Sequence, residues 1–76
     1  QLYELAKLNL IAGKKAKAAA AYRTAIAYFT LARALLTEND WQTQYDLTFN
    51  IYVEAVEAAY LNGDFEQMEQ LATVAL

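Results

Sequence analysis

Seventy-six residues with a formal net charge of −3 allow one small domain, and the chain holds neither cysteine nor histidine. Their absence excludes a disulfide staple, a thiolate or imidazole metal site and a histidine-based nucleophilic triad. With 58% apolar residues, 20% charged and no proline, the composition belongs to a helical globular segment and not to a disordered one.

The first helix is expected over residues 2–18, through Leu2, Leu5, Leu8 and Ala12. Lys14, Lys15 and Lys17 follow Gly13, and then come alanines, the strongest helix formers. Local signals alone would continue one rod to Leu36, roughly 50 Å long, unusual for a domain of this size. The GKK at Gly13 is no phosphate loop, because the upstream glycine and the hydroxyl after the lysine are both missing. Three lysines are also too few for a lipid-headgroup patch. A sequence pI of about 4.6 speaks against nucleic acid. They read as a solvated face or as partners for acids elsewhere in the chain.

A second helix is expected over residues 21–37, with Tyr22, Ala25, Phe29, Ala32 and Leu36 on one stripe. The run TEND, Thr37 to Asp40, then breaks it. Asn39 or Asp40 is a candidate N-cap, and Asn39 with Gln42 has capping-box spacing. A third helix is expected over residues 41–62. Trp41, Tyr45, Phe49, Tyr52, Val56 and Tyr60 mark one face, and Leu47, Ile51, Ala55 and Ala58 mark a second. Apolar residues on two sides place such a helix between neighbours. Asn62-Gly63 supplies a left-handed C-cap. Asp64 caps a last helix over residues 65–76, with Gln67 at the capping-box position and Phe65, Met68, Ala72 and Ala75 on its stripe.

Sliding the chain by 43 residues resolves the joint in the first half. Tyr22 then lands on Phe65, Ala25 on Met68, Phe29 on Ala72, Leu8 on Ile51 and Ala12 on Ala55. Ala20-Ala21 lands on Gly63-Asp64, the strongest turn signal present, so a tight turn is expected near Ala18–Ala21. The expected fold class is therefore all-α, two antiparallel helical hairpins over about 2–37 and 41–76, stacked as a solenoid fragment. The core should centre on Tyr22, Phe29, Tyr45, Phe49, Tyr52, Val56 and Phe65. The six tyrosines read as core groups, and Trp41 as an anchor across the loop.

Ala25-x3-Phe29 with Ala32, Gly13 in the first helix, and Gly63-Asp64-Phe65 at a turn resemble the tetratricopeptide repeat. Thr37 replaces that repeat's closing proline, Ala16 and Ala59 its tyrosine, and the unit exceeds 34 residues. The chain is thus TPR-like with lengthened helices. More narrowly, LNLIAGKKAKAAAAY, WQTQYDLTF and EAAYLNGDFEQ look like the helical-repeat region of large bacterial, often cyanobacterial, signalling proteins. In those proteins such repeats accompany an AAA-type ATPase module, sensor and histidine-kinase domains, and often a serine/threonine kinase. The resemblance implies an ATP-dependent kinase parent and carries no catalytic residue onto this segment.

Glu54 and Glu57, at i,i+3, lack the histidine partners of a di-metal bundle and read as a solvated acidic face. No catalytic residue, cofactor or metal site is expected, and every apolar run is shorter than the roughly 18 residues of a membrane span. A cytoplasmic setting fits. The tetratricopeptide resemblance places Lys7, Lys14 and Lys17, then Asn50, Glu54, Glu57 and Tyr60, on a concave surface for a peptide or an adjoining domain. Residues 1–36 hold six cations and one acid, net +5, whereas residues 37–76 hold eight acids and no cation, net −8. Both ends look cut, and Met68, Leu71, Ala72, Ala75 and Leu76 should lie uncovered, so a homodimer or higher oligomer is expected. The leading function is a non-catalytic scaffold that spaces or couples domains of a signalling kinase. The alternatives are a free-standing peptide-binding adaptor and a self-associating module.

Overall fold

The computed structural model describes residues 2–37 and 39–75. Among them every regular element is helical: α1 Leu2–Ala18, α2 Tyr22–Ala34, α3 Asp40–Thr43, α4 Tyr45–Leu61 and α5 Phe65–Ala75. α1 packs along α2, α4 lies against both α2 and α5, and the short α3 rests on α4.

The turn expected between the first two helices is present, and it repeats 43 residues later. The Ala20 φ is +62° and the Gly63 φ is +79°, both left-handed. The Ala21 amide donates to the Ala16 carbonyl at 2.9 Å and Ala20 to Lys17 at 2.9 Å. Asp64 donates to Ala59 at 2.8 Å and Gly63 to Tyr60 at 3.0 Å. These are the two bonds of a Schellman cap, which satisfies carbonyls that the helix end would otherwise leave open. The next helix opens alike in both places, with Ala25 to Ala21 at 2.9 Å and Met68 to Asp64 at 3.0 Å. Asp64 also caps as expected, its Oδ1 accepting the Gln67 amide at 3.2 Å.

Two element boundaries differ from the sequence expectation. α2 ends at Ala34 and not at residue 37, because Asp40 Oδ2 accepts the Thr37 amide at 2.5 Å and the Thr37 hydroxyl at 3.1 Å. That carboxylate draws the chain out of the helix. Asn39 makes no side-chain cap, so the proposed capping box with Gln42 does not form. The helix expected over 41–62 is broken at Gln44, φ −131° and ψ 49°. The Asp40 carbonyl accepts both the Gln44 amide at 2.8 Å and the Thr48 hydroxyl at 3.3 Å. Trp41 can then fold back on Tyr52, ring centroids 5.3 Å apart. In a straight helix eleven residues would separate them by about 16 Å.

The core also differs. It comprises Ala6, Leu10, Ala25, Phe29, Ala32, Ile51, Ala55, Ala58 and Leu71. Of the expected centre only Phe29 is buried; Tyr22, Phe49, Tyr52 and Val56 are half-buried, and Tyr45 and Phe65 are 53% and 57% exposed. None of the six tyrosines is buried. α4 turns its small residues inward, because Ala55 and Ala58 let two helix backbones approach where a ring would hold them apart. Gly13 serves the same purpose beneath Phe29: a Cβ there would stand 2.7 Å from Cδ1 of that ring. The last helix is covered on one side as well, so Leu71, expected at the surface, is 4% exposed within the core. Leu76 lies outside the described residues.

Candidate interaction surface

Lys17, in the last turn of α1, reaches across to α4. Its Nζ forms an ion pair with Glu54 Oε1 at 2.6 Å and donates a short hydrogen bond to Glu57. Three of the expected contact residues are thereby brought together. Helical spacing puts both carboxylates on one face of α4. The lysine and Glu54 side chains are 20% and 14% exposed, Glu57 57%. Burial works to lower the Lys17 pKa, but its bonds and charge contacts with Glu54 and Glu57 outweigh it and raise the value above the usual 10.5. The trio ties the first pair of helices to the second, so much of its capacity is already spent inside the chain.

The remaining expected contact residues are dispersed. Lys7 and Lys14 are exposed, and the Lys7 ammonium stands 5.4 Å from the centre of the Tyr3 ring. Asn50 is exposed, and Tyr60 leans on Phe65 at 5.9 Å between centroids. Met68 is half-buried, and Leu71 is withdrawn into the core.

Sequence reading missed several concavities, two of which adjoin α5. The larger, about 550 Å³, lies among Arg33, Leu36, Trp41, Thr48, Tyr52 and Val74. Its aromatic wall exists only because of the bend at Gln44. The Arg33 guanidinium stands 5.5 Å from the Tyr52 ring centre, and its Nε is buried without a hydrogen-bond partner. The smaller, about 170 Å³, is a groove between α4 and α5 lined by Phe49, Val53, Val56, Glu57, Ala72 and Ala75. The 43-residue register was the signal that could have found it, since all of these positions except Glu57 fall on buried positions of the first half. Among the described residues no three His, Cys, Asp or Glu side chains are grouped to hold a metal ion, and no helix is long and apolar enough to cross a membrane.

No protein-family model matches the chain, and no solved structure matches it. Among curated proteins, hybrid signal transduction histidine kinase G of Dictyostelium discoideum is 33% identical over 81 aligned residues. The alignment takes in 95% of this chain and 2% of that protein, so the chain spans a very small part of the relative it matches. The likeness is to one segment of a signalling protein.

Proposed function

We propose that the chain is a non-catalytic helical-repeat scaffold, two antiparallel hairpins stacked in the TPR-like manner, that couples or spaces domains of a cytoplasmic signal-transduction kinase through protein contacts. The observation that carries this reading is the turn that recurs 43 residues apart with the same two capping bonds and the same left-handed residue. A repeated helix–turn–helix unit buries its apolar side on its neighbour, which makes such units spacers and contact surfaces. The likeness to a histidine kinase segment supports the signalling setting. The Lys17–Glu54–Glu57 cluster supports a fixed relation between the hairpins, as a coupling element requires.

The test uses a signalling kinase that carries this segment. Replacing the segment by a Gly/Ser linker of equal length should abolish stimulus-dependent autophosphorylation while leaving the turnover of the kinase module unchanged. Signalling that survives the replacement would overturn the coupling role.

A further inference from the structure

Among the described residues two apolar faces are left without a partner, and the internal interface shows how they fit each other. Five residues of the α4–α5 groove, Phe49, Val53, Val56, Ala72 and Ala75, correspond at the 43-residue spacing to Ala6, Leu10, Gly13, Phe29 and Ala32. All five counterparts are buried in the first pair of helices, against which α4 packs. None of the five groove residues is buried. The second pair of helices therefore lacks the cover that α4 gives the first.

The covering residues have counterparts too. α4 buries Thr48 and Ile51, whose equivalents on α1 are Leu5 and Leu8. Leu5 is 48% exposed and Leu8 60%, and Leu2 and Ile11 flank this pair on either side, 58% and 49% exposed. One end of the molecule thus presents the face that α4 uses for covering, and the other end presents the face that needs covering.

We propose that a second copy of this chain docks head to tail, with the α1 stripe of one copy seated in the α4–α5 groove of the next. The contact repeats the α2–α4 packing between chains. Charge favours the same partner, because the half that carries α1 is net +5 and the half that carries the groove is net −8. The two faces differ, so the contact is heterologous and adds copies in a row where a symmetric dimer would close. This inference rests on the helical-repeat reading and adds to it the partner and the register.

Sedimentation velocity of the 76-residue chain from micromolar to millimolar protein provides the test. The wild type should associate beyond a dimer, and added salt should weaken it. Leu8→Glu, which removes the stripe, should weaken self-association by about tenfold or more, and Val53→Glu, which removes the groove, should do the same. Ala75→Glu replaces Val53→Glu should the latter lose its helical far-UV signal. Mixed together, the stripe and groove variants should form a one-to-one complex that grows no further, since each supplies the face the other lacks. A helical wild type that stays monomeric at millimolar protein and low salt would overturn the proposal. So would a Leu8→Glu chain that associates as the wild type does, or variants that fail to combine. Each of these results leaves the repeat scaffold standing, because that reading is judged on kinase output.

Discussion

The ring of Phe29 occupies the space that a side chain on Gly13 would need. A Cβ there would lie 2.7 Å from Cδ1 and 2.8 Å from Cζ of a ring that is itself fully buried. Gly13→Ala should therefore destabilise the fold by about 1–3 kcal/mol through overpacking. Phe29→Ala should cost about 3–5 kcal/mol. The equivalent pair in the second half is Val56 with Ala72, bulk exchanged across the contact. Combining Gly13→Val with Phe29→Ala should accordingly cost less than the sum of the single changes. Urea unfolding of wild type, Gly13→Val, Phe29→Ala and the double variant measures the coupling, and strict additivity would break the pairing.

Ala20 and Gly63 hold the same left-handed position in the two turns, but only Gly63 does so without steric cost. Ala20→Gly should stabilise the chain by about 0.5–1 kcal/mol, a rare gain from placing glycine beside a helix. Gly63→Ala should lose about 1 kcal/mol through backbone strain alone, since nothing lies within 4 Å of the added methyl group. Opposite shifts in midpoint temperature are the expected result.

Lys17→Met leaves Glu54 and Glu57 facing each other, one of them largely buried, and should cost about 1–2 kcal/mol at neutral pH. The share from exposed Glu57 is screened by solvent. Because the folded-state pKa of Lys17 is raised, its contribution is complete below the ordinary lysine value of 10.5 and is lost as pH rises through the folded value. The stability difference between wild type and Lys17→Met should hold steady from neutral pH to about 10. It should shrink at higher pH. A gap that persists in strong alkali would mean that the lysine stem, and not its charge, supplies the stabilisation.

The turns were legible in the sequence because a repeat compares the chain with itself. Gly63 identifies its own turn, and the register transfers that identity to Ala20, where local propensity favours continued helix. The Ala25–Phe29–Ala32 stripe was legible for a similar reason: α2 has one apolar side, and periodicity points it inward. α4 has two such sides, and periodicity cannot rank them. Backbone approach decided between them, so the alanine face went in and the aromatic face stayed half-exposed. Leu71 of α5 joins that alanine face in the core. The Lys17 bridge was legible as opposite charge in two halves and as three positions on one expected surface but not as a contact, since its partners stand about forty residues away and only packing brings them together. The bend at Gln44 has no glycine or proline to announce it. It arises from a tertiary contact, Trp41 on Tyr52, together with the two hydrogen bonds accepted by the Asp40 carbonyl.

That bend provides the last prediction. Tyr52 has the Trp41 ring 5.3 Å from its centre and the Arg33 guanidinium at 5.5 Å, so one phenol ring organises α3, the end of α2 and α4 together. Trp41 is the chain's single tryptophan, and its fluorescence reports this cluster alone. Tyr52→Ala should expose the indole, shift its emission to the red and cost about 1–3 kcal/mol, less than a fully buried ring because Tyr52 is half-buried. Tyr52→Phe keeps the ring and should leave emission and stability close to wild type. In both Tyr52→Ala and Trp41→Ala, exchange of the Gln44 amide should accelerate, since its bond to the Asp40 carbonyl depends on α3 staying folded against α4. The double variant should cost less than the two single changes combined, by about 0.5–1.5 kcal/mol, the coupling of one aromatic pair. Unchanged Gln44 protection in Trp41→Ala would show that the Asp40 carbonyl alone fixes the break, with Trp41 settling on Tyr52 afterwards.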